Sequence, residues 1–180
     1  EEHPDDAITP YAAAKAAEDH IIRSYVQTFG IDATVVRPFN NYGPRQNPGS
    51  YAGILPVIVQ RVERGLPIEI HGDGEQSRDF TFVRDTADLT VALHETPAAR
   101  GLEINVATGV GTTINHLVQR ILEIMGKPNH PVIHSDERPG DVRRHQADVS
   151  RLVSLVGRQP GVLSDEALSE TVEWYRGVFA

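Results

Sequence analysis

Cysteine is absent from the 180 residues. That excludes a disulfide framework and any zinc held by thiolates. Lysine is nearly absent, with Lys15 and Lys127 the only two. Positive charge is scarce altogether: 17 Lys and Arg stand against 25 Asp and Glu, a formal net charge of -8. So acidic a chain is a poor partner for nucleic acid or an anionic membrane surface. No apolar run approaches the roughly 20 residues of a membrane span, and no secretory signal pattern is visible. The expectation is a cytoplasmic protein. Internal repeats and low-complexity segments are lacking as well. So is an initiator Met: Glu1-Glu2-His3-Pro4-Asp5-Asp6 opens in what reads as a loop. The chain is therefore expected to be a piece of something longer, or numbered from mid-protein.

What is present is an ordinary balance, 39% hydrophobic and 23% charged, enough for a sizeable core. Thr9 is a good N-cap and Pro10 suits a first helical position, so a helix is expected from there to about Phe29, stopped by Gly30. Residues 33–37 form a β-branched run that reads as a buried strand ended by Pro38. Residues 38–52 read as a loop of functional length. Helices are expected over 54–64, 85–95, 113–125, 148–156 and 164–179, and strands over 67–71, 79–83, 102–106 and 132–134. Residues 135–147 read as a charged loop. The alternation of helices and strands indicates an α/β fold.

Tyr11 and Lys15 stand four apart at the front of the first helix, on one face. A phenol with an unperturbed pKa near ~10 is a poor proton carrier at neutral pH, and a neighbouring ammonium makes its phenolate available. The pair reads as a device for moving a proton on and off a hydroxyl. The plainer reading is a surface Tyr and Lys.

Asn40, Asn41 and Tyr42 follow a strand's carboxyl end, where open α/β sheets bind ligands. Their amides suit sugar or phosphate oxygens, and Asx-turn chemistry beside Gly43-Pro44 explains them equally well. Arg78, Arg138, Arg143 and Arg144 suit an anion, or simple pairing with Asp136, Glu137 and Asp141. Gly109-Val-Gly111 lies between a strand and a helix, the context of a dinucleotide loop, but Ile114 replaces the third glycine. It reads as a turn, with Thr112 or Thr113 capping the next helix. Of the eight histidines, His130 and His134 are four apart, yet Pro131 denies them a shared helical face, so no metal site is expected. Trp174 and Tyr175 read as packing residues.

Three segments carry a resemblance: Tyr11-Ala-Ala-Ala-Lys15, Val35-Val-Arg-Pro-Phe-Asn-Asn-Tyr-Gly-Pro-Arg-Gln46 and Gly72-Asp-Gly-Glu-Gln-Ser-Arg-Asp-Phe80. In this order they resemble the extended short-chain dehydrogenase/reductases, the NAD-dependent nucleotide-sugar epimerases and dehydratases. The resemblance covers essentially the whole chain but only the second part of such an enzyme, since the family's N-terminal Gly-rich NAD loop is not here. It implies that residues 1–45 end a Rossmann-type NAD-binding domain and that 46–180 are mainly the smaller α/β nucleotide-sugar domain. It implies Tyr11 as catalytic acid-base, Lys15 on the nicotinamide ribose, Pro38, Phe39 and Asn40 lining the nicotinamide, and Asn41, Arg78 and Arg138 on a UDP- or dTDP-sugar. Gly109 stays a turn away from NAD. It further implies a homodimer through the Tyr11–Lys15 helix. Tyr51-Ala-Gly-Ile-Leu-Pro56 resembles the 4-epimerases more than the hexose 4,6-dehydratases. The acid-base pair of the dehydratases, and the Ser or Thr partner of the catalytic Tyr, would precede Glu1. The expected activity is UDP-sugar 4-epimerisation in the full-length protein, with little activity in this chain alone. A dTDP-glucose 4,6-dehydratase and a non-catalytic nucleotide-sugar-binding fragment are the alternatives.

Overall fold

A computed structural model describes residues 9–49, 53–137 and 140–179. Helix α1 (Pro10–Phe29) starts as the sequence dictates: Thr9 is extended, its hydroxyl accepts from Ala12 N at 3.2 Å, and Pro10 takes the first turn. Gly30 ends it at φ 64, a left-handed conformation that glycine adopts without strain. Strand β1 (Val35–Pro38) begins two residues later than expected and keeps Pro38, because the next ladder bond comes from Phe39 N–H to Val106 O at 3.1 Å. The expected loop that follows contains a short strand, β2 (Asn40–Tyr42).

Helix α2 (Ile54–Glu63) and strand β3 (Ile68–His71) follow as expected. The expected strand over 79–83 is instead two, β4 (Ser77–Arg78) and β5 (Phe80–Phe82), broken at Asp79, whose N–H turns to His145 O at 3.0 Å. Val83 already opens helix α3 (Val83–His94). Strand β6 (Glu103–Val106), the two-residue β7 (Thr112–Thr113) and helix α4 (Ile114–Ile124) come next, with the Thr113 hydroxyl accepting from His116 N at 3.2 Å. Beyond β8 (Val132–Ser135) the charged loop holds one more strand, β9 (Arg144–His145). In helix α5 (Ser150–Val156) the expected cap shifts: Val149 is the capping residue, and the Asp148 carboxylate accepts from Ser150 N at 2.8 Å. Helix α6 (Asp165–Phe179) closes the chain, with Ser164 Oγ accepting from Ala167 N at 3.2 Å.

The pairings β1–β6, β2–β5 and β3–β8 are parallel, and β4 lies between antiparallel β7 and parallel β9. Among the described residues two apolar cores result. The larger joins the inner faces of α2, α4 and α6 around Ile58, Val62, Leu117, Ile121, Leu168 and Tyr175. Tyr175 is fully buried, and its hydroxyl donates to Gln46 O at 2.7 Å, with Trp174 packed beside it. The smaller lies under β1 and β6, where Ile104 and Val106 meet Leu89, Leu93 and Leu152. α1 differs from the other helices: it buries none of its residues, and Ile21, Tyr25 and Phe29 are exposed. Among the described residues no helix is long and apolar enough to cross a membrane.

Candidate functional site

Tyr11 occupies the first turn of α1 with its side chain 74% exposed. Lys15 follows one turn on, its Nζ 2.8 Å from Glu18 Oε2. The bond to the Glu18 carboxylate, then its charge, raises the Lys15 pKa and keeps the ammonium charged. α1 is anchored to the parallel pair by ions. The Arg37 guanidinium on β1 pairs with Asp19 of the helix and with Glu103 on β6, and Arg23 reaches the same Glu103. Arg37 therefore has a structural duty that its place between Val36 and Pro38 did not disclose.

Past the carboxyl ends of β1 and β6, the chain crosses to β2 beside β5. There a cavity of about 480 Å³ opens, lined by Asn40, Asn41, Arg78, Asp141, His71 and Gln46, with Gly53, Ile54 and Leu55 at the start of α2. Asn41 is held on two sides: its Oδ1 accepts from the Thr86 hydroxyl at 2.7 Å, and its carbonyl accepts from Gln46 Nε2 at 3.0 Å. The Asn40 amide nitrogen donates to Asp79 O at 3.2 Å. Arg78 projects from β4, where Nη1 donates to Ser77 O at 2.8 Å and Val142 O at 2.5 Å, while Nη2 pairs with Asp141. Tight Gly43, at φ 147, has no room for a Cβ, which would stand 2.5 Å from Val83 Cγ1. This close approach brings the 41–46 loop against α3.

The structure thus gathers Asn40, Asn41 and Arg78 about one cavity. Tyr11, Lys15, Pro38 and Phe39 are not among its lining residues. Arg138 lies outside the described residues. Arg143 turns away into a bidentate pair with Asp73, at 2.6 and 2.8 Å, which holds the Asp73 carboxyl down to about 2. Sequence reasoning did not single out Gln46, His71, Thr86 or His145, and gave Asp141 only as an ion-pair partner. The one available signal was Asp141 following Gly140 in the arginine-rich loop.

The Gly109 turn is filled by the protein itself. Asp79 is fully buried, and its Oδ1 accepts from Thr108 N at 2.9 Å and Thr108 Oγ1 at 2.6 Å. Its Oδ2 accepts from Gly109 N at 2.9 Å and Ala147 N at 3.3 Å. An internal carboxylate takes the backbone N–H groups that a pyrophosphate would need. The Gly109 turn therefore does not fit the pyrophosphate of a dinucleotide, because Asp79 already occupies its N–H groups. His130 Nε2 and His134 Nδ1 each meet a backbone carbonyl at 2.8 Å, of Leu66 and Gly72.

A sequence model of the NAD dependent epimerase/dehydratase family matches residues 1–107. A UDP-glucose 4-epimerase of Mycolicibacterium smegmatis is 36% identical over 176 residues, covering 98% of this chain and 56% of the relative. A dTDP-glucose 4,6-dehydratase of an Actinoplanes species is also 36% identical over 178 residues, with 98% and 54% covered. A UDP-glucose 4-epimerase of Thermotoga maritima, solved with UDP-glucose, superimposes with a TM-score of 0.89 at 34% identity, covering 99% of this chain and 56% of that one. The chain spans about half the length of the curated relatives it matches.

Proposed function

The chain belongs to the NAD dependent epimerase/dehydratase family, and from that premise we propose that it carries the catalytic helix and the nucleotide-sugar site of a UDP-sugar 4-epimerase. The carrying observation is the cavity that joins the amides of Asn40 and Asn41 to the Arg78 guanidinium. A sugar diphosphate needs neutral donors and acceptors for hydroxyls at one end and a fork of charged donors at the other. The three Arg78 bonds above leave Nε–H and one Nη2–H for phosphate oxygens.

In this reading Tyr11, as phenolate, takes the proton from the sugar hydroxyl and later returns it. NAD, when bound, supplies the hydride acceptor and donor. Lys15 holds the nicotinamide ribose and favours the phenolate by its charge. Pro38, Phe39 and Asn40 line the nicotinamide, and Asn41, Arg78 and Arg138 bind the nucleotide sugar. Residues 1–45 complete an NAD domain whose first half this chain lacks, and 46–180 mainly form the substrate domain. The chain alone then does not turn over. The exposed Ile21, Tyr25 and Phe29 of α1 support a homodimer through that helix, and the working compartment is the cytoplasm.

Gly53, Ile54 and Leu55 favour the epimerase, because the epimerase-like segment at 51–56 reaches the cavity wall through them. A dTDP-glucose 4,6-dehydratase is the second reading, supported by the equal identity to the Actinoplanes enzyme. In the complete protein, Tyr11→Phe should leave binding of NAD and UDP-glucose nearly intact and lower turnover by roughly 10²–10⁴. Wild-type turnover in that variant removes Tyr11 from the mechanism, and a dehydrated 4-keto product from dTDP-glucose selects the second reading.

A further inference from the structure

His145, on β9, stands opposite Arg78 in the parallel β4–β9 pairing. Its ring stacks on Phe39, with centroids 4.8 Å apart and planes 19° from parallel. Its Nδ1 lies 3.4 Å from Asn40 Nδ2, the nitrogen that also donates to Asp79 O. A carbonyl oxygen only accepts, so the Asp79 contact fixes the Asn40 amide with its NH₂ group toward both partners. One hydrogen goes to Asp79 O and the other faces His145. Nδ1 must then be the bare nitrogen, with the imidazole proton on Nε2. A protonated ring would set N–H against N–H. The backbone beneath the ring has little freedom, because His145 O accepts from Asp79 N and the Asp79 carboxylate accepts from Ala147 N two residues on.

We propose that His145 is a positioning residue: a neutral imidazole that stacks on Phe39 and holds Asn40 by accepting its amide proton, so that protonation of the ring breaks its hold on Asn40. The surroundings keep the ring neutral near pH 7. Lost hydration against its neighbours and the facing charge of Arg78 on β4 push its pKa below the ordinary histidine value, and only Asp79 pulls the other way. The other facing groups, Phe39 between β1 and β2 and Asn40 at the start of β2, carry no charge. The segment held in this way is the one assigned to the nicotinamide, and that assignment alone rests on the proposed function; the contact between His145 and Asn40 does not. The consequence for the site is an acid sensitivity that originates outside Tyr11 and Lys15.

Proton–nitrogen correlation NMR of this chain tests the contact directly. The Asn40 side-chain amide signals should shift with a midpoint below about pH 6.5, and the shift should vanish in His145→Gln and His145→Phe. Signals that stay fixed between pH 8 and 5, or that titrate unchanged in both variants, overturn the proposal. The complete, NAD-loaded enzyme gives the second readout. His145→Gln keeps an acceptor that does not titrate and should lose the acid inflection of kcat/KM. His145→Phe keeps a ring without an acceptor and should sit about fivefold below the Gln variant at neutral pH, the worth of one neutral hydrogen bond. An acid limb unchanged in His145→Gln, or equal values for Gln and Phe, overturns it. Wild-type turnover in Tyr11→Phe, or a dehydrated product, would change the proposed function and leave the NMR result standing.

Discussion

Replacing Asp79 by Asn exchanges one carboxylate oxygen for an NH₂ group, a change of almost no volume. Its effect should nonetheless be large. The carboxylate accepts from Thr108 N, Thr108 Oγ1, Gly109 N and Ala147 N, and Thr108 is 1% exposed. Oriented with its remaining oxygen toward Thr108, the substituted amide points N–H at the N–H groups of Gly109 and Ala147. Hydrogen bonds to a charged acceptor are each worth about 1.5–3 kcal/mol, and a buried donor left without a partner costs about 1–3 kcal/mol. Two donors lost, with some entry of water, give about 3–4 kcal/mol of destabilisation. Thr108→Val removes the hydroxyl's bond to Asp79 and its contacts with Val110 N and Val110 O, and should cost about 1–3 kcal/mol. Urea unfolding of the two variants, read by linear extrapolation with an unchanged slope, measures both. An Asp79→Asn variant within about 0.5 kcal/mol of wild type would falsify the claim that this carboxylate, rather than apolar packing, ties β4–β5 to the 107–109 turn.

Three further outcomes follow from the site. Arg78→Ala in the complete protein should weaken binding of UDP or dTDP by about 1.5–3 kcal/mol, the scale of a charged hydrogen bond; unchanged affinity by isothermal titration leaves Arg78 a structural role with Asp141, Ser77 O and Val142 O. NAD added to the 180-residue chain should produce no micromolar binding by heat or fluorescence, because the Gly109 turn already holds Asp79; tight binding would mean another pyrophosphate site. Arg143 holds Asp73 at about 2, below its ordinary value of 3.8. A depressed carboxyl pKa stabilises the fold fully above the ordinary value and ceases to do so as pH falls toward 2. Arg143→Ala should return the Asp73 NMR titration toward 3.8, and an Asp73 that already titrates there in the wild type contradicts the pair.

Local signals in the sequence located what they control locally. Thr9, Pro10 and Gly30 bound α1 by satisfying or releasing its own end groups, and Gly109 is legible as a turn from its neighbours alone. β9 was hidden because Arg144 and His145 are both exposed and give no apolar alternation. The occupant of the Gly109 turn was hidden for another reason: Asp79 lies 30 residues before Gly109 and 68 before Ala147. Asn41 and Arg78 could be picked out by side-chain chemistry beside a strand end. Their supports could not. Thr86 reaches Asn41 across 45 residues and Asp141 reaches Arg78 across 63, distances at which only the tertiary fold decides who meets whom.

α1 gives the molecule two exchange clocks. Its 20 residues bury nothing, and what ties it to β1 and β6 includes the Arg23 and Arg37 ion pairs, of a kind worth about 0–1 kcal/mol each when near the surface and screened by salt. Helix α4, by contrast, buries Ile114, Leu117, Val118, Ile121 and Leu122. Opening α1 uncovers little apolar surface, so its amides take up deuterium through a local detachment that leaves the core intact. Those of α4 wait for the core itself to open. Raising the ionic strength quickens the first clock and leaves the second unchanged. The helix that bears Tyr11 and Lys15 is thus held largely by charge, while α4 is held by packing.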